Sequence, residues 1–595
     1  MNKLNFIWHM HQPFYIKDDV ITMPWVFLHL IKDYYDMPYL VEKCGIKATF
    51  NLTPSLIEQI QMYEKSFYKD KFLSLWIKHP SQLNEEEKKF ILDIIKSIPI
   101  NLVINERLKI LLDFEILADI EFIEMEILYI LSWCGNYLQD KLKDFNNFTQ
   151  KAKEELFDIL SEFIKGVLPY YKKLQNKGII SIWTTPYTHP ILPLLIDMNN
   201  ARYANENTIL PKNHFSLKDD AIKHIKKAIE IYEDVFETSP IGFWPAEGAV
   251  DEESIKLYRE NNIKYIATDE SLLDSKYQND SAYKKDNVVI FFRNHNLSDK
   301  IGFKYRYYDI ESAINDFKIA IPNYPINSII LDGENAWEYY NNKGYVFLEN
   351  LYLSLKKEYE FILANEIDEY KNLDYIKTGS WINGNFNTWV GNKYQNTAWQ
   401  YLFDAKKLYL SKEKNEKIEE LFLYLESSDF YWWFSDYHNT TFIDKFDSLF
   451  REYLTKIYTL MNEKIPAYLN ESIYEKQHFL IMPTSMISPI IDGKITYKFE
   501  WYGAGILNLV NSTMAQNGIT KVLFGEDEEY FYFAFIGNNI KNIEVFLNHK
   551  KIDFVMKQDD IIELKIKKTI NENNFKFILD NQEINLSLNN KRWFV

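Results

Sequence analysis

Cysteine is nearly absent: Cys44 and Cys134 are the only two in 595 residues. Two cysteines exclude a disulfide framework and fit a reducing compartment. Glycine and proline are sparse too, 18 of each, which leaves little room for disordered linkers. No apolar run approaches the roughly 20 residues of a membrane span. The N-terminus enters a strand-like stretch with no basic leader or cleavage site before it, so a cytoplasmic protein is expected. Positive charge is short as well. Against 85 Asp and Glu stand 68 Lys and Arg, a net charge of −17. That balance disfavours nucleic acid and anionic membranes, whose binding rests on clustered basic groups, and does not repel a neutral molecule. Internal repeats and low-complexity tracts are lacking. At this length two or three domains are expected.

What the chain does have is seven runs of one form, each a short apolar stretch ending in polar or ionisable residues. They are LNFIWHMHQP (4–13), IKATFNLTP (46–54), IISIWTTP (179–186), IGFWPAE (241–247), IKYIATDE (263–270), VVIFFRNH (288–295) and SIILDGEN (328–335). Continuous apolar runs of this length predict strands buried on both faces, hence a parallel sheet wrapped by helices. In parallel barrels the strands' C-terminal ends carry the catalytic groups, because the loops there vary without disturbing the core. Placing the polar residues at those ends predicts an enzyme.

Helical spacing fills about 55–177, as in EEEKKFILDIIKSI and KAKEELFDILSEFIKGVL, and reads as a helical insertion between the second and third strands. Helices between later strands include 217–235. Pro190, Pro193 and the prolines at 322 and 325 mark loops. From about 345 to 463 the pattern is helical again. After Pro466 short alternating runs such as KITYKFEWYG, EYFYFAFIGNN, KNIEVFLNHKK, IIELKIKK and NFKFILDN predict an antiparallel β-sandwich. The expected organisation is an α/β barrel over 1–345, a helical domain over 346–463 and a β-sandwich over 464–595.

Glu247 and Asp332 each end a predicted barrel strand, so both can point into one cleft. Facing carboxyl groups are what glycosidic cleavage uses: one attacks the anomeric carbon or activates water, the other protonates the leaving oxygen. Either residue alone could equally cap a helix or pair with a basic neighbour. His9 and His11 alternate at the end of the first strand. Only one of them can face inward along a regular strand, but both can where the chain turns. His189 follows the third strand, and Arg293, His295 and Asp299 follow the sixth, where they could orient the carboxylates. The His-x-His pair could instead chelate zinc, with Asp332 and His189 as further ligands of a metal-dependent deacetylase. Aromatic residues make up 16% of the chain, and their faces suit sugar rings, although a large apolar side chain is more often packed than displayed.

HMHQP (9–13), GFWPAEGAVDEE (242–253), ILDGEN (330–335) and SWINGNFNTWVG (380–391) resemble glycoside hydrolase family 57. Further runs resemble its amylopullulanase-like branch: DMPYLVEKCGIKATFNLTPSLIEQI near the start, TTPYTHPILPLL (184–195), LSDKIGF (297–303), ESSDFYWWFSDYHN (426–439) and ISPIIDGKITYKFEWYGAG (487–505). The resemblance covers most of the chain. It implies a (β/α)7 barrel, in agreement with the seven runs, and a retaining enzyme on α-1,4 bonds of starch, glycogen or maltodextrin, with α-1,6 bonds as a second target. A 4-α-glucanotransferase or branching enzyme is the alternative within the family, and a non-catalytic glucan-binding barrel the alternative outside it. Glu247 would be the nucleophile and Asp332 the general acid/base. His11 would contact the reacting sugar, with His9 beside it and Glu334 close by. Trp244, Trp381 and Trp389 would stack on glucose, and Asp429, Trp432 and Trp433 would lie against the cleft. No cofactor and no metal are implied.

Three departures bear on sugar affinity. Gly178-Ile-Ile-Ser181 stands where relatives often have Gly-x-x-Glu, position 294 is Asn where an Asp is frequent, and 391–396 lacks acidic residues. In the C-terminal region Trp501 is expected to be buried and bracing at an interface, with polysaccharide binding through Trp501 and Tyr502 the alternative. Oligomeric state is not fixed by the sequence.

Overall fold

The computed structural model describes residues 2–114, 116–367, 369–435, 443–474, 480–481, 483, 485–494, 500–508, 518–538, 543–548, 550–552, 561–568, 573–579 and 582–588. All seven runs form strands: β1 Lys3–Met10, β2 Ala48–Leu52, β3 Ile180–Trp183, β4 Gly242–Phe243, β5 Tyr265–Asp269, β6 Val288–Arg293 and β7 Ile326–Asp332. Parallel ladders join β7–β1–β2–β3 and β4–β5–β6. A parallel bridge from Thr184 to Phe243 joins β3 to β4, and the Asn294 amide donates to the Ser328 carbonyl at 2.8 Å to join β6 to β7. The result is a seven-stranded (β/α) barrel.

Side chains alternate along a strand, so register sorts them into layers. Asn5, Ile7 and His9 lie opposite Ser328, Ile330 and Asp332. Ile7 and Ile330 join Trp183, Trp244, Ala267 and Phe291 in the barrel core. Parity therefore puts His9 and Asp332 on the inward face one layer higher, at the C-terminal rim. Ala267 and Phe291 are likewise paired, which brings Asp269 and Arg293 to the same rim. Trp183 fills the interior because Gly242 carries no side chain; a Cβ there would run into the indole. Burying a side chain of this size is worth about 1.5–3 kcal/mol.

Between β2 and β3 the chain is helical, from Pro54–Lys65 to Val167–Asn176. Lys218–Phe236 and Glu252–Glu260 precede β4 and β5, and Ile310–Ala320 precedes β7. No α-helix links β5 to β6 among the described residues. Instead the strand Ala282–Lys285 lies antiparallel to β6. The region after 345 is also not wholly helical, contrary to the sequence pattern. Glu360–Phe361 extends the sheet beside β1, Tyr370–Asn372 pairs with Ala282–Lys285, and 373–392 is irregular before Lys393–Tyr409. Gly379 and Gly384 punctuate that stretch. Pro193 lies within the short helix Leu192–Ile196, at a first-turn position where no amide donor is needed, and not in a loop.

The chain forms two compact units. One holds residues 1–432 and 449–470, the other 433–448 and 471–595. In the second unit, strands Gly505–Asn508, Gly518–Glu526, Tyr530–Asn538 and Ile561–Lys567 form one antiparallel sheet, and Ile543–Leu547, Lys550–Ile552, Asn573–Leu579 and Gln582–Leu588 another. Phe524, Phe533 and Phe535 of the first and Val545, Phe575 and Phe577 of the second share a core. Trp501 is buried inside this unit, and its indole N–H donates to Glu563 Oε1 at 2.8 Å. Residues 495–499 of KITYKFEWYG, 539 of EYFYFAFIGNN, 541, 542 and 549 of KNIEVFLNHKK, 580–581 of NFKFILDN and 436–439 of ESSDFYWWFSDYHN lie outside the described residues. No helix among the described residues is long and apolar enough to cross a membrane.

Candidate active site

Glu247 sits just past β4 in a tight turn with left-handed backbone (φ 58°). For a side chain other than glycine's this costs roughly 1–2 kcal/mol, so neighbouring contacts must hold it. The Trp381 amide donates to the Glu247 carbonyl at 3.0 Å, and the Trp381 indole donates to Glu247 Oε2 at 2.7 Å. Burial pushes the Glu247 carboxyl up to about 8. The Trp381 bond opposes that shift, and Asp332 and Asp429 add to it.

Three imidazoles gather on the rim. His11 and His189 stack at 4.0 Å between ring centroids, and His9 lies 5.1 Å from His189. His9 is the inward residue of β1, while His11 reaches the same place because the strand ends at Met10. Burial and the other histidines hold His9 and His189 well below the usual imidazole range, so both are neutral. Asn51 Nδ2 lies 2.7 Å from His9 Nδ1 and donates to Thr185 Oγ1 at 3.0 Å. His189 and Thr188 both have left-handed backbone (φ 62° and 61°). Thr188 Oγ1 donates to the Leu423 carbonyl at 2.6 Å, and the Ser428 amide donates to the His189 carbonyl at 3.1 Å, fixing the turn. His189 Nδ1 is 2.9 Å from Ser428 Oγ and 3.8 Å from Glu247 Oε1, and its buried Nε2 has no hydrogen-bond partner among the described residues.

His11 Nε2 contacts Asp429 at 3.0 and 3.2 Å, and its amide donates to Glu334 Oε1 at 3.0 Å. Glu334 is buried. Burial, then the charge of Asp332, raises its carboxyl well above the usual range. His11, His189 and Asp429 each offer a ligand atom within 4.8 Å of the others, a donor set that suits a zinc-like cation. The direct His11–Asp429 bond satisfies both groups without one.

Arg293 donates to the Ile330 carbonyl at 2.7 Å and to Asp299 at 2.7 Å, and reaches Asp269 at 3.3 Å. Its guanidinium lies 5.5 Å from the Trp381 ring. His295 is half-exposed; bonds to Asp269 and then Asp299 raise it to about 9, so it is a cation at neutral pH.

Two expected sugar platforms need correction. Trp244 and Trp389 are both 0% exposed, so each packs inside the protein and shows no face to a ligand. Trp381 is half-buried, as are Trp432 and Trp433. Ser181 is buried opposite Thr49, in the layer of Ile7 and Ile330 below Asp332. Asn294 caps the helix His295–Asp299 by accepting from the Leu297 amide at 3.0 Å. The sequence reading missed Asn51, Thr185, Ser428 and Thr53, whose Oγ1 lies 3.3 Å from His11 Nδ1. For Asn51 the signal was present, a polar residue inside an apolar run.

A family model described as glycosyl hydrolase family 57 matches residues 5–379. The chain belongs to glycosyl hydrolase family 57. Among curated proteins, a Methanocaldococcus jannaschii protein named "Putative alpha-amylase" is 23% identical over 281 residues, 44% of this chain and 55% of that protein. The match thus spans about half of that relative's length. Among solved structures, the family 57 branching enzyme from Thermococcus kodakaraensis, crystallised with glucose and additives, aligns with a TM-score of 0.50 at 16% identity. The alignment covers 79% of this chain and 94% of that one, a likeness of fold. The alpha-amylase AmyC from Thermotoga maritima aligns with a TM-score of 0.48 at 14% identity, over 80% of this chain and 95% of that one.

Proposed function

We propose that this family 57 chain is a retaining glycoside hydrolase acting on α-1,4-linked glucans, with α-1,6 bonds as a second target. What supports the reading is that Glu247 follows β4 and Asp332 ends β7, both at the C-terminal end of the same barrel. Glu247 attacks the anomeric carbon as its carboxylate, the minority form at neutral pH with the group raised to about 8, while Asp332 gives its proton to the leaving glycosidic oxygen. A covalent glycosyl-enzyme results. Asp332 then takes a proton from water, which attacks the same carbon and releases Glu247. The retaining course follows from the resemblance of the runs around both carboxylates to the family. His11, Asp429 and the neutral His9 and His189 would bind hydroxyls of the reacting sugar, and Trp381 and Trp432 would border it.

We also propose a cytoplasmic protein. It would have a catalytic barrel over 1–345 with its insertion at about 55–177, a mainly helical region over 346–463, and a C-terminal β-sandwich over 464–595 that does not bind polysaccharide through Trp501. Burial of Trp501 supports that reading.

A product time course with maltoheptaose and with pullulan tests the activity. Shorter maltooligosaccharides alone support hydrolysis. Longer products appearing early mean transfer to a sugar acceptor, and pullulan products add α-1,6 or pullulan-type cleavage. No product from either substrate contradicts the reading.

A further inference from the structure

Trp381 is expected from sequence to be a sugar platform, yet its polar edge is already committed. Three backbone hydrogen bonds zip its segment to the turn of Glu247: the Val250 amide to the Gly379 carbonyl at 2.9 Å, the Gly379 amide to the Val250 carbonyl at 3.1 Å, and the Trp381 amide to the Glu247 carbonyl at 3.0 Å. The zip needs Gly379, because a Cβ there would strike the Gly384 carbonyl and the Leu272 side chain. The indole N–H then reaches Glu247 Oε2 at 2.7 Å, while Oε1 lies 3.8 Å from His189 Nδ1. On one side the indole meets Trp244 edge to face at 5.2 Å, and Arg293 lies over its ring. Arg293 in turn donates to the carbonyl of Ile330, two residues before Asp332 on β7.

Resting on the reading of Glu247 as nucleophile, we propose that Trp381 is a positioning residue. It pins Oε2, stabilises the carboxylate form, and leaves Oε1 as the oxygen that attacks the sugar. An indole suits this task. It donates one hydrogen bond and has no proton to give up at physiological pH, so it cannot neutralise the nucleophile by proton transfer. A bond to the ionised form favours that form and opposes the desolvation around it. The strained turn explains why the clamp has two points: the backbone bonds hold the left-handed Glu247, and the indole fixes its side chain. Arg293 lies over the same indole and donates to the Ile330 carbonyl on the strand of Asp332.

The test is the pH dependence of kcat/KM for Trp381→Phe, which keeps an aromatic face and removes the N–H. The acid limb should move up by about one pH unit, with kcat falling at pH 6 more than at pH 8. An unmoved acid limb with only KM raised would mean a stacking role and overturn the proposal. A readout that needs no change at Trp381 is the indole 15N–1H spectrum of the tryptophan-labelled wild type. One indole resonance should titrate with the acid limb, and none should do so in Glu247→Gln. If every indole signal is flat with pH in the wild type, the bond does not serve Glu247. Glu247→Gly with sodium azide and an aryl α-glucoside separates the two failures. A β-glycosyl azide product keeps Glu247 as nucleophile whatever Trp381 does, and its absence removes the reading on which the proposal rests.

Discussion

His11 Nε2 lies 3.0 Å from Asp429 Oδ1, although 418 positions separate the two residues in the chain. The contact brings the helix Ser428–Trp433 to the rim of the barrel and adds a carboxylate whose charge raises Glu247. Asp429→Asn should therefore move the acid limb of kcat/KM downward, opposite to Trp381→Phe. The sign follows from the charge: removing a neighbouring anion makes Glu247 easier to ionise, and the nucleophile must be ionised. Sugar affinity should fall in the same variant. A pH–rate profile with maltoheptaose checks both.

Asp332→Asn should lose about 10²–10⁴ in kcat on maltooligosaccharides, because the leaving oxygen is no longer protonated. An aryl α-glucoside with an acidic phenol needs little help from an acid, so its first step should be nearly spared. Comparing the two substrates in stopped-flow assays checks the assignment.

The rim cluster of His11, His189 and Asp429 gives a further expectation. If it works through hydrogen bonds, dialysis against EDTA leaves kcat unchanged. Loss of activity that zinc restores would make the cluster a metal centre.

Much of the barrel was legible because strands buried on both faces write themselves as unbroken apolar runs, and all seven did. The strand Ala282–Lys285 was not, being four residues long with two lysines. Nor were Glu360–Phe361 and Tyr370–Asn372, which owe their conformation to the edges they join. Glu247, Asp332, His9 and His11 announced themselves as polar groups ending apolar runs. The partnership of His11 with Asp429 left no local trace, since it depends on tertiary packing alone. Trp244, Trp381 and Trp389 read alike in sequence. Only the packed structure separates the two interior indoles from the one bonded to Glu247.

Away from the site, Lys153 Nζ and Glu126 Oε2 form an ion pair at 2.7 Å with both side chains 0% exposed. Lys153→Met alone strands a buried carboxyl and should cost about 3–5 kcal/mol, whereas Glu126→Leu with Lys153→Met should cost far less. Thermal midpoints of the two variants check this.

Gly379→Ala tests the backbone side of the clamp. The added methyl group must displace the Gly384 carbonyl or Leu272, which should cost about 1–3 kcal/mol and lower kcat as the Glu247 turn shifts. Calorimetry and the kcat of the same preparation measure both effects.

The most direct test of the central claim is to trap the covalent intermediate with 5-fluoro-α-D-glucosyl fluoride and map the label by peptide mass spectrometry. The account predicts a single glycosylated peptide with the sugar on Glu247. A label on any other residue, or an enzyme that turns over glucan yet never becomes labelled, would contradict it.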